Sequence, residues 1–288
     1  MARSMIGHFF PGLGFFLIGL WHLFNHIKLH VQNPKSFTIH PWFPASKIRY
    51  LELLLIMIGS SYYVFTELFR HHRFDPDGTI PSPYLRNFEH ASIAITFIVY
   101  TSFSIVLDFV AAKAKYGLTQ LLAAVALGQQ LLMFRLHSTD HAGLEGQYHL
   151  FLQMLTLVSM ATSLMAIGFP KSFILGFSRS LCILFLGVWL MATGVMLWTP
   201  GFIPKGCSLL WDEGGHQEAR CHDDESLHRA KALINIEFSW YLIAIMIFSV
   251  SFYLFLVDAY GKKVKNLSWE KKEEKGVEHH DDDDDLGL

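Results

Sequence analysis

The chain has 288 residues, 52% of them hydrophobic and 15% aromatic, with only 17% charged. A soluble domain of this size carries about a quarter charged residues, so the composition points to a membrane protein. The net charge of −2 combines a lysine-rich stretch after the last apolar segment with an acidic run at 281–285, and the lack of interleaved basic and aromatic residues excludes a nucleic-acid surface.

Seven apolar stretches have about the length that crosses a bilayer, at roughly 9–24, 50–69, 88–110, 118–136, 148–169, 173–198 and 230–257. The first contains Pro11 and is followed by no small-residue cleavage pattern, so it is expected to stay as a membrane helix. The fold expected is all-α, a polytopic bundle of seven transmembrane helices filling residues 1–258. An outer loop at 199–229 interrupts it, and a disordered charged tail follows at 259–288. Asp75-Pro76-Asp77-Gly78 marks a turn between the second and third spans.

Orientation follows from the basic residues. With the amino terminus outside or lumenal, Lys28, Lys35, Lys47, Arg49, Lys113, Lys115, Lys171 and the lysines of the tail fall on the cytosolic side. Cys207 and Cys221 then lie in an outer loop, where a disulfide between them can persist, whereas Cys182 sits in an apolar span as a packing residue.

The stretch between the fourth and fifth spans, FRLHSTDHAGLEGQYH, concentrates Arg135, His137, Asp140, His141, Glu145 and His149 at membrane depth. Polar side chains there must face protein, water or an ion. Helix direction brings Glu67, Glu89 and His90 to the same end, with His8 and Glu237 at a similar level. Imidazole and carboxylate are the ligand types of catalytic zinc and non-haem iron. The expected metal ligands are His90, His137, Glu145, His149 and Glu67, with Glu145 or Glu67 as general base. A divalent metal is expected, zinc ahead of iron. The opposite end carries His22, His26, Glu52 and Asp108 near Arg49 and Lys28, a set that reads as an ion-paired network.

Gly7-His8-Phe9-Phe10-Pro11-Gly12, Gly19-Leu20-Trp21, Arg49 with Glu52, Thr66-Glu67, Pro76-Asp77-Gly78, His90, Asp108, His137, Leu144-Glu145 with His149, Arg179, Gly187 with Trp189, and Trp240 together resemble the transmembrane protein 45 family, in its plant-type form. The resemblance extends as scattered motifs from residue 1 to about 257 and implies a multi-pass membrane protein without a settled activity.

Three functions are compatible with these residues. The first is a membrane-embedded, metal-dependent hydrolase that acts on a lipid ester or amide, with membrane lipid as partner and substrate. The second is an ion- or proton-coupled transporter or channel in which the two polar sets are the ends of one path. The third is a non-catalytic scaffold. The location expected is the plasma membrane or an endomembrane.

Overall fold

The computed structural model describes residues 2–69, 74–136, 143–211 and 217–281, without the side chains of 2–4, 83 and 263–281. Among the described residues seven helices are long and apolar enough to cross a membrane. They are α1 (Ala2–Gln32), α2 (Leu51–Leu68), α3 (Ser82–Phe109), α4 (Lys115–Leu136), α5 (Leu144–Gly168), α6 (Phe173–Trp198) and α7 (Asp224–Asp281). A hairpin of β1 (Cys207–Trp211) and β2 (Gln217–Cys221) separates α6 from α7. The chain is therefore a seven-helix polytopic membrane bundle.

Two helices run further than their apolar content suggests. α1 continues through His22, His26 and His30 to Gln32, because the imidazoles are covered by other parts of the chain. α7 passes beyond its apolar span through residues 259–281 as one helix, a stretch rich in the good helix formers Lys and Glu.

The bundle is built outward from the antiparallel pair α1 and α6. At Gly19 an added Cβ would collide with the backbone of Leu184, and at Gly187 with the backbone of Phe16. At Gly12 it would lie 2.8 Å from the Met191 nitrogen. Small residues permit this backbone approach, and close packing drives helix association where lipid removes the hydrophobic incentive. Along α5, α6 and α7 the core is aromatic. Fully buried Trp189 has its ring centroid 5.3 Å from Tyr148, 5.6 Å from Phe151 and 5.0 Å from Phe238. On the other side α2, α3 and α4 pack around Leu53, Tyr100 and Ala126, with Trp42 of the α1–α2 loop inserted among them.

The two ends of the bundle differ. One, the hairpin end, carries the start of α1, the close of α6 and the β1–β2 hairpin. Cys207 pairs with Cys221 in register across the two strands and forms the disulfide. The Trp198 indole donates to the Gln217 carbonyl at 3.1 Å, tying the hairpin to α6. Asp223 caps α7 by accepting the Ser226 amide at 2.7 Å. At the other, the loop end, the segment between α1 and α2 turns back into the bundle.

The glycine contacts give a first prediction. Gly187→Leu forces α1 and α6 apart and costs about 1–3 kcal/mol of stability, whereas Gly14→Ala, with nothing within 4 Å of its added Cβ, stays within about 0.5 kcal/mol. Thermal unfolding in detergent separates them, and equal melting temperatures would contradict the packing. A second concerns the hairpin. Cys207→Ser with Cys221→Ser removes a bridge worth on the order of 3 kcal/mol by the loop-entropy model, and protease is expected to cut residues 199–223 faster while the helices stay protected. A non-reducing mass spectrum with both thiols free in cell-matured protein would rule out the bridge.

Candidate functional site

At the hairpin end, α2 and α3 bring Glu67 and His90 together, with His90 Nδ1 3.8 Å from Glu67 Oε2. The Asn87 amide donates to the same carboxylate oxygen. The Tyr63 ring lies 6.3 Å from His90, and its hydroxyl donates to the Gly7 carbonyl at 3.4 Å, which joins this pair to α1.

The second group rests on α5. Glu145 and His149, four residues apart, are both buried, at 7% and 2% exposure. His149 Nδ1 lies 2.8 Å from the Glu145 backbone carbonyl. A carbonyl only accepts, so Nδ1 carries a proton and donates to it. The His8 ring stands 6.0 Å from that of His149 and 4.7 Å from that of Trp198, and Phe134 lies 6.0 Å from His149 on the α4 side. His137, Asp140 and His141 lie outside the described residues. Among the described residues no group of three or more His, Cys, Asp or Glu side chains is arranged to hold a metal ion. Glu237 is set apart, accepting the Tyr148 hydroxyl at 2.9 Å.

The loop end is the more densely bonded. Its sequence set separates into two clusters. Asp108 forms the outer one, taking Arg49 Nη2 at 2.8 Å, Tyr50 OH at 3.0 Å and Lys115 Nζ at 2.9 Å. Lys28 instead lies over the rings of Phe24 and Tyr260.

The inner cluster is buried. His22 Nε2 is 2.7 Å from Glu52 Oε1, and Glu52 Oε2 accepts the Phe43 amide at 2.8 Å. Arg179 of α6, 3% exposed, donates to Gln120 Oε1 of α4 and to the His40 carbonyl, each at 2.5 Å. The Ser180 hydroxyl donates to the Gly176 carbonyl at 2.8 Å and lies 3.0 Å from His26 Nδ1. With the hydroxyl proton committed, Nδ1 is the donor there and His26 Nε2 keeps the lone pair. Among the described residues His22 Nδ1, His26 Nε2, Gln120 Nε2 and Arg179 Nε are buried with no hydrogen-bond partner. Burial, with the charges of Arg179 and His22 adding to it, holds the His40 imidazole below its ordinary pKa.

Sequence reasoning from depth and direction left out three contributors. Arg179 interrupts an otherwise apolar span, which is itself a signal of buried chemistry, yet it entered only through the family resemblance. Gln120 had no such signal. The turn-back of residues 37–43 left a trace in Phe37, Ile39, Trp42 and Phe43, four large apolar residues in a short connection.

A third prediction tests the network. Arg179→Gln removes a buried charge and leaves its acceptors, Gln120 Oε1 and the His40 carbonyl, without that donor. It is expected to lower the melting temperature well beyond Arg49→Gln, whose guanidinium is exposed. Equal shifts would contradict the burial assigned to Arg179.

Residues 116–254, from α4 into the apolar part of α7, match the model of a family of unknown function, DUF716. This family corresponds to the transmembrane protein 45 group. The match covers Gln120, Glu145, His149 and Arg179, while α1 to α3, with His22, Glu52, Glu67 and His90, lie outside it. In its helices four to seven the chain is thus similar to a membrane-protein family whose activity is not defined.

Proposed function

We propose that this polytopic membrane protein carries protons, alone or coupled to another ion, between the His8/His149/Glu145 group at the hairpin end and the His22/His26/Glu52/Arg179 cluster at the loop end. The observation that supports this reading most is the buried face of α5. His149, Thr156, Ser159 and Ser163 lie on one side of that helix at 2%, 0%, 0% and 1% exposure, interleaved with buried Leu152 and Leu155, while Leu150, Met154, Leu157 and Met165 on the opposite side are exposed. Lipid rewards the apolar face, and the inward polar stripe extends about 21 Å from His149 to Ser163 at 1.5 Å per residue. Gln130 of α4 and Thr193 and Ser180 of α6 are further polar side chains buried in the bundle. Each hydroxyl of the stripe donates to a carbonyl one turn back, as Thr156 does to Leu152 at 2.7 Å and Ser159 to Leu155 at 2.8 Å. Its oxygen keeps lone pairs for water, and the imidazoles of His149 and His26 are the titratable groups at the two ends.

In this reading the disulfide-bearing hairpin end faces the extracellular or lumenal side and the end of α7 the cytosol. The membrane is the plasma membrane or an endomembrane.

Purified protein in liposomes with an entrapped pH dye and a potassium diffusion potential is expected to pass protons above the protein-free background. His149→Ala lowers that flux by about tenfold or more, as removal of a positioned proton carrier does. Wild-type flux at background would reject the proposal.

A second reading is favoured by the His149 tautomer, since an Nδ1–H bonded to a backbone carbonyl is how metal-ligating imidazoles are oriented. Under it the expected ligands His90, His137, Glu145, His149 and Glu67 take a divalent metal, zinc ahead of iron. Glu145 or Glu67 then serves as base toward a lipid ester or amide. Elemental analysis separates the two: stoichiometric metal lost in His149→Ala supports the second, and its absence from active, proton-passing protein supports the first.

A further inference from the structure

The segment joining α1 to α2 has exposed flanks at 33–36 and at 46–49 and a buried middle, with Phe37 at 3%, Ile39 at 5%, Trp42 at 7% and Phe43 at 4% exposure. Residues 37–43 contain no helix or strand. Irregular backbone at such depth is tolerated only where other parts of the protein take up its polar groups.

Three helices and the α5–α6 connection do so. Arg179 of α6 binds the His40 carbonyl, the Tyr100 hydroxyl of α3 donates to the Pro41 carbonyl at 3.3 Å, and Glu52 of α2 accepts the Phe43 amide at 2.8 Å. The Ile39 amide adds a bond to the Pro170 carbonyl at 2.6 Å. The backbone thereby solvates two buried charges of opposite sign, its carbonyl toward Arg179 and its amide toward Glu52. Burial of such charges is costly unless protein groups replace their hydration.

The Phe43 ring is set against both buried histidines, 5.2 Å from His22 and 4.8 Å from His26 between centroids. The single Glu52 carboxylate holds His22 with one oxygen and this segment with the other.

From this geometry we propose that His40–Phe43 is a latch closing the loop end of the bundle over His22 and His26, a role that rests on the proton-path reading above. The segment's exposed flanks let the buried tetrapeptide move out when those bonds break, opening the histidine cluster to water while the helices stay in place.

The test uses a thiol reporter. Ser180, fully buried behind the latch, is replaced by Cys in a Cys182→Ala background, and the detergent-solubilised protein is treated with a charged maleimide. The labelling rate is expected to rise roughly two- to tenfold in Tyr100→Phe, which loses one buried hydrogen bond, and further in Phe43→Ala. An unchanged rate in Tyr100→Phe, a variant missing only one hydroxyl, overturns the latch even if Phe43→Ala does not fold. Liposome flux separates this failure from that of the path. Wild-type flux with no labelling response retires the latch and leaves the path. Faster labelling in a protein that passes no protons retires the path and leaves the segment as a cover over the histidines.

Discussion

Everything in this bundle depends on how closely α1 approaches α6. Gly12 and Gly19 on one helix and Gly187 on the other place backbone against backbone, with no room for a Cβ on Gly19 or Gly187. In lipid, where apolar surface alone gives helices little reason to associate, such contact supplies the dispersion energy that holds them. Because the pair is antiparallel, both ends of α1 are fixed at once. His8 meets His149 and Trp198 at the hairpin end, and His26 reaches Ser180 and Gly176 at the loop end. The remaining helices position polar groups around a frame that these glycines set.

The interior so framed is costly, and the chain offsets the cost locally. Two full charges, Arg179 and Glu52, are buried without touching each other. Each is stabilised by an amide side chain, an imidazole or loop backbone. A directly paired Arg and Glu would satisfy the charges equally well and leave nothing for the α1–α2 connection to do. The separated arrangement makes the closure of the loop end depend on the same groups that border the buried histidines. The serines and threonines of α5 have a simpler arrangement, each donating to its own helix, so they add polarity to the interior at little structural cost.

Much of the architecture was legible in the sequence because it follows from local rules. Long apolar runs give the spans, and Cys207 with Cys221 gives the bridged hairpin. Glu145 and His149, one turn apart, lie together on the buried face of α5 as their spacing requires. The first helix was read as ending near Phe24 because polar residues multiply after it. They are accommodated only because residues 37–43 cover them. That cover uses bonds from Glu52, Tyr100 and Arg179, up to 139 residues away in sequence, and no local pattern encodes such partners. The site at the hairpin end was legible as a set of residue types at one depth. Depth alone does not give the pairwise contacts, such as His90 near Glu67 and the His8 ring near that of His149.

The claim that ties these parts together is that protons cross along the hydroxyl-bearing face of α5 between the two ends. Ser159 sits midway, fully buried, and touches neither end group. Replacing it with Leu puts an apolar side chain across the stripe while leaving His149, His26, Glu52 and Arg179 intact. Proton flux through Ser159→Leu in liposomes, compared with Ser159→Ala, is the direct measurement. The account predicts flux near background for Leu and substantial flux for Ala, in proteins that both melt cooperatively. Wild-type flux through a folded Ser159→Leu protein would contradict it.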